Sequence, residues 1–136
     1  MSKAEASIQL RASADQVWQL IGGFDSLPDW LPAIPESHLS EGGRVRNLKT
    51  ADGAVIVERL LQFSEAERRY SYSILQGPAP VRDYRATLSV SAEGSTTRVE
   101  WSGTFTPDGV SEAEAQQLFA SIYRDGLAAL KQTLGE

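Results

Sequence analysis

At Ser111 the period of the sequence changes, and that change does most to limit what the chain can fold into. Before it, from about residue 35 to 106, short segments with strand character are divided by the turn signals "SEGG", "ADG", "SEAER", "QGPAP" and "AEGST". After it, Leu118, Phe119, Ile122, Tyr123, Leu127, Leu130 and Leu134 recur at helical spacing. Ser111 and Glu114 form a capping box at the start, and Gly135 stands just past the end. A helix over 111–134 is roughly 36 Å long at 1.5 Å per residue, enough to lie across a whole sheet. The strands read as 36–40, 44–50, 54–63, 69–76, 82–92 and 96–106, and their short sequential connections predict an antiparallel meander.

The amino-terminal third completes the pattern. "SIQLRA" alternates, with Ile8 and Leu10 on one face, and predicts an opening strand. A capping box, Ser13 with Gln16, then opens a helix that turns Val17, Trp18 and Ile21 inward and stops at Gly22-Gly23. "FDSLPDWLPAIP" holds too much proline for more than one short helical turn and a loop. Strand, one or two short helices, six strands and a long helix make an α+β chain, with helices on one side of an antiparallel sheet. At 136 residues it is expected to be one domain, residues 1–136, large enough for a core without disulfides or metal.

Composition removes whole classes of chemistry. With no cysteine there is no thiolate metal site or cysteine nucleophile, and a single histidine, His38, rules out a multi-histidine metal cluster. A net charge of −5 argues against nucleic acid, which needs a basic footprint, and against an anionic membrane surface. The amino terminus lacks the apolar stretch of a signal peptide and no segment approaches a membrane span, so a soluble cytoplasmic protein is expected. No phosphate loop, paired metal ligands or nucleophile with an evident base is present, and no cofactor is expected.

The order of elements resembles the helix-grip fold of the START-like superfamily. That superfamily includes the birch-pollen-allergen (Bet v 1) type and the polyketide cyclase/dehydrase and lipid-transport family. "SADQVWQLIGGFDSLPDWLP" looks like that family's first helix and following loop. "ERLLQFSEAERRYSYSI", followed by "YRATL", is similar to the same region of the plant abscisic-acid receptors. The resemblance covers about residues 5 to 134 and implies a seven-stranded curved antiparallel sheet around a long C-terminal helix. The fold does not decide the activity, because its members bind or transform unrelated molecules. Carried over residue by residue, it implies that Arg46, Leu48, Glu58, Tyr72, Ile74, Tyr84, Ala86 and Glu100 face a ligand cavity. Phe119 and Ile122 join them from the long helix. Three departures stand against the receptors. Leu31 replaces their ligand-binding lysine, "ADG" replaces the gate, and "APV" at residues 79–81 replaces the latch. A hormone-gated phosphatase partner is therefore not expected.

Glu58 raises the sharpest physical question, because it sits in "VERLLQF" among apolar residues. Either it is an outward carboxylate on a solvated face, or it points inward, where an unpaired charge costs several kcal/mol or takes up a proton. Arg46 on the neighbouring strand is the candidate partner, since a guanidinium stays charged and binds carboxylates in a fork. Glu100 is contested. Alternation turns Val99, Trp101 and Phe105 inward, the resemblance turns Glu100 inward, and a bulge near Gly103 would reconcile the two. Tyr72 and Tyr84 are core filler or cavity lining, although Ala86 beside Tyr84 leaves room. Trp18 belongs to the core, and Trp30 is a core or loop anchor or else helps close a pocket entrance. Gly126 marks either close packing or space for a ligand. His38 and Arg68-Arg69 read as solvated.

The leading expectation is binding or transport of a small hydrophobic molecule with a polar end, by a monomer or homodimer, without nucleic acid or integral membrane association. The alternative from another class is a cyclase or dehydratase that uses Glu58, Tyr84 and Arg46. A third is an interaction module whose cavity is filled by its own side chains.

Overall fold

A computed structural model describes all residues, Met1–Glu136. Its order is β1 (Ser2–Leu10), α1 (Ala14–Ile21), α2 (Leu27–Trp30), β2 (Glu36–Ser40), β3 (Val45–Lys49), β4 (Val55–Ser64), β5 (Arg69–Gln76), β6 (Val81–Glu93), β7 (Thr96–Pro107) and α3 (Glu112–Thr133). Strands β2 to β7 form the expected meander, and β1 closes the far edge on β7, giving the order β1-β7-β6-β5-β4-β3-β2. All pairs are antiparallel. This is the α+β arrangement of a seven-stranded sheet and a long C-terminal helix that the order of elements implies. Strand β1 is longer than expected, pairing from Ser2↔Phe105 to Leu10↔Thr97. Its first half carries only Ala4 and Ala6 as apolar positions, a weak signal for alternation.

Local chemistry sets the helix ends. Ser13 accepts from the Gln16 amide at 3.2 Å, and Ser111 from the Glu114 amide at 3.1 Å, so each capping serine satisfies one orphan N–H. The reciprocal half of each box is not made. Gly135 takes a left-handed φ of 75°, which glycine adopts without a Cβ clash. The arginine pair at the β4–β5 hairpin is not simply solvated. Arg68 reaches across to Asp15 in the first turn of α1, at 3.1 Å from Nε, and ties the hairpin to that helix.

Three irregularities bend the sheet. Register shifts fall between Val57 and Glu58 and between Leu60 and Gln62, which leaves Leu75 and Leu61 as the extra residues. The third lies between Arg82 and Arg85, where Asp83 has a φ of 54°. By simple alternation from Tyr84, Arg82 would point inward; the extra residue reverses the parity and leaves Arg82 exposed. Helix α3 packs on β1 and β7 and touches α2, while β3, β4 and β5 curve away from it. Close approach is possible because Gly126 faces Trp101: an added Cβ would lie 2.7 Å from the indole Cζ3. The sequence left Gly126 between packing and ligand space, and the structure assigns it to packing.

Candidate functional site

The curvature opens a cavity of about 360 Å³ between the sheet and α3, lined by 20 residues of which 14 are hydrophobic, so its walls are mainly apolar. Alternation along each strand decides what faces it. Strand β3 supplies Arg46 and Leu48, β4 supplies Ile56 and Glu58, β5 supplies Tyr72 and Ile74, and β6 supplies Tyr84. Helix α3 contributes Leu118, Phe119, Ile122 and Tyr123. Leu118 and Ile122 are 38% and 42% exposed, so they stand at the rim. Across from them lie Gly77, Pro78, Ala79 and Pro80 of the β5–β6 loop.

Glu58 faces this space with its carboxylate bound to Arg46. The register pairs Arg46 with Glu58 directly across β3 and β4, so both side chains leave the sheet on one face. Arg46 Nε donates to Glu58 Oε1 at 2.8 Å, and Nη2 lies 2.7 Å from the same oxygen. Arg46 Nη1 donates to the Tyr70 hydroxyl at 3.2 Å and to the Phe24 carbonyl at 3.3 Å. The guanidinium also lies over the rings of Phe24 and Tyr72, 4.3 and 4.7 Å from their centroids. Arg46 is 1% exposed and Glu58 7%, so this is a buried ion pair. Burial pushes the Glu58 carboxyl above its ordinary pKa, and Arg46 pulls back against that rise without cancelling it. Burial opposes the Arg46 charge as well, but Tyr70 and Glu58 outweigh it and raise the guanidinium above its usual value.

Hydroxyl groups make up the rest of the polar lining. Trp101 Nε1 donates to the Tyr72 hydroxyl at 3.1 Å, and the hydroxyls of Tyr84 and Tyr123 are hydrogen-bonded to each other. Burial raises the pKa of all three tyrosines, so each remains a protonated hydroxyl. Tyr123 fits because Gly103 lies beneath its hydroxyl, where any Cβ would collide. No helix is long and apolar enough to cross a membrane, and no group of three or more His, Cys, Asp or Glu is placed to hold a metal ion.

Two of the residues named for the cavity do not line it. Glu100 points to the outer face of β7 and lies 3.3 Å from Arg98, with both side chains about 40% exposed. Strand β7 alternates without interruption through Thr97, Val99, Trp101, Gly103 and Phe105, and the bulge near Gly103 is absent. Trp101 is therefore the inward residue. Ala86 does face inward, 1% exposed, but it is packed in the core beneath the cavity lining and does not reach the space. Trp30 takes the core reading over the entrance: at 1% exposure it packs edge-on against Trp101. Sequence reasoning missed Tyr70 and Phe24, which hold Arg46. Tyr70 was legible, since it shares the period-two face of Tyr72 and Ile74. It also missed Leu27, Ile34 and the loop 77–80, which no periodicity marks.

The model of the family described as "Polyketide cyclase / dehydrase and lipid transport" matches residues 1–135. The protein XoxI from Bacillus cereus is 55% identical, with a TM-score of 0.93 over 97% of this chain and 94% of that one. An uncharacterized protein from Bacillus thuringiensis is 52% identical, with a TM-score of 0.96 over 99% of this chain and all of that one. Ara h 8.0201 is 17% identical, with a TM-score of 0.77 over 98% of each chain, a likeness of fold alone. A comparison with curated proteins finds no match.

Proposed function

The chain belongs to the polyketide cyclase/dehydrase and lipid transport family, and from that premise we propose that it binds a small hydrophobic molecule with a polar end between the sheet and α3. The observation that carries this reading is the 360 Å³ apolar cavity with a buried Arg46–Glu58 pair in its wall. Ligand sites are commonly 300–1,000 Å³, apolar, with a few convergent polar groups, and this one lies at the small end. Leu48, Tyr72, Ile74, Tyr84, Phe119 and Ile122 would enclose the apolar body. Arg46 and Glu58 would meet the polar end. A solid core would have no use for a charged pair at this position, because burying two ions contributes little net stability.

Native mass spectrometry of freshly purified protein, followed by titration with the neutral fluorophore N-phenyl-1-naphthylamine, tests the proposal. Saturable binding is expected, and Ile74→Trp, which fills the cavity, should abolish it while circular dichroism stays unchanged. Absence of any saturable binding, or undiminished binding by Ile74→Trp, would defeat it.

The enzymatic reading keeps one specific support: Glu58 has a raised pKa, which suits a general base better than an ordinary carboxylate does. Glu58→Gln separates the two classes. In a binding protein it weakens the polar contact modestly, whereas in an enzyme turnover falls by about 10²-fold or more while binding survives.

A further inference from the structure

The hydrogen bonds around the Arg46–Glu58 pair leave an unequal remainder. Arg46 Nε and Nη1 donate to Glu58 Oε1, Tyr70 and the Phe24 carbonyl, and Nη2 lies against the same Glu58 oxygen, which leaves the guanidinium no more than its Nη2 edge for a ligand. Glu58 Oε1 takes both contacts from Arg46, and Oε2 receives no hydrogen bond from the protein. The one fully enclosed side-chain polar atom without a partner is Trp30 Nε1, so Oε2 is not sealed in; it opens onto the cavity that Glu58 lines. Tyr72 lies in the same wall, and its hydroxyl oxygen accepts from Trp101 while the neighbouring Tyr84 hydroxyl is the one protein group that competes with a ligand for its proton. The cavity thus offers a free, charged acceptor and, beside it, a neutral hydroxyl donor.

Resting on the ligand-binding reading above, we propose that the cavity selects an uncharged ligand bearing a hydroxyl group, which donates to Glu58 Oε2 and accepts from the Tyr72 hydroxyl, and that it rejects carboxylates. A hydroxyl is both donor and acceptor and matches the two vacant roles. A carboxylate cannot donate to Oε2, and it would be desolvated beside a like charge. Arg46 gives a carboxylate no fork, because Glu58 already occupies Nε and Nη2. Leu31, also in the wall, contributes no cation. An ammonium group cannot accept the Tyr72 proton and would face the guanidinium.

Three probes of one shape isolate the polar group: naphthalene, 2-naphthol and 2-naphthoate, followed by tryptophan fluorescence or calorimetry at neutral pH. Hydrogen bonds to a charged group are strong enough that 2-naphthol should bind at least about tenfold more tightly than either of the others. Tyr72→Phe keeps the ring and removes the proton, so it should shrink the preference for naphthol over naphthalene without weakening naphthalene. Glu58→Gln should shrink it too if that variant folds. Equal or tighter binding of 2-naphthoate, or a preference unchanged in Tyr72→Phe, overturns the inference and leaves the cavity a ligand site. Failure of all three probes to bind refutes the ligand-binding reading, and this inference falls with it.

Discussion

Arg46→Met removes the cation that makes Glu58 tolerable and keeps much of the side chain's apolar volume. It deletes two contacts to Glu58 at 2.7 and 2.8 Å, the bond to Tyr70, and the packing over Phe24 and Tyr72. Breaking a fully buried pair costs about 3–5 kcal/mol, and the opening of Glu58 Oε2 onto the cavity puts the expected cost at the low end of that range. The carboxyl has one escape, protonation. Burial already raises its pKa with Arg46 in place, and without Arg46 the value rises further. A raised folded-state pKa favours folding below the unfolded value of about 4.3, and that contribution disappears as pH climbs through the folded value. The Arg46→Met deficit should therefore be full near pH 8 and shrink by on the order of 1.4 kcal/mol per pH unit between the variant's folded pKa and the lower, though already raised, folded pKa of the parent. Glu58→Gln should instead show a deficit that does not shrink on acidification, since the guanidinium it strands cannot lose its proton and only the parent gains stability as the pH falls through the raised Glu58 pKa. Replacing both, Arg46→Met with Glu58→Leu, should recover most of the loss. Urea unfolding of the four proteins at about pH 5 and pH 8 reads all of this. A deficit below about 1 kcal/mol near pH 8, or one identical at the two pH values, would show that the pair is not buried as described.

Two glycines give further tests of the packing that leaves the cavity open. Gly126→Ala adds a Cβ 2.7 Å from Trp101 and 3.1 Å from Leu31. Overpacking of about 1–3 kcal/mol should outweigh the helix-propensity gain of about 1 kcal/mol, so thermal unfolding should show a lower Tm. A stabilised variant would mean that α3 does not press on Trp101. Gly103→Ala collides with the Tyr123 hydroxyl, so Tyr123→Phe should relieve it, with a coupling of about 1 kcal/mol or more in a double-mutant cycle. Additive effects would place the collision elsewhere.

What the residues alone reveal here is what short range decides. Turn signals divide the strands closely enough that 36–40, 69–76 and their neighbours agree with the structure to within about a residue, because a turn depends on the backbone preferences of a few adjacent residues. Ser13 and Ser111 mark helix starts for the same reason, each satisfying an amide three residues on. The Arg46–Glu58 pair was legible one step further out. A meander makes β3 and β4 neighbours, and the cost of an isolated buried charge calls for a partner across that ladder.

Glu100 and Trp101 show where that reasoning stops. Alternation and resemblance disagreed, and only the unbroken pairing of β7 with both β1 and β6 turned Trp101 inward and left Glu100 beside Arg98. Asp83 and Leu61 carry no mark of the bulges that bend the sheet, since a bulge answers to how two strands fit. Gly126 likewise took its meaning from Trp101, 25 residues away in the chain and in contact only after folding. The cavity belongs wholly to this long-range class. It is space left where α3 rests on β1 and β7 while β3 to β5 curve away, so Leu27, Ile34 and Pro78 come to line it without any shared pattern. A sequence encodes the preferences of its own side chains directly; the shape of a void is decided only when elements far apart in the chain pack together.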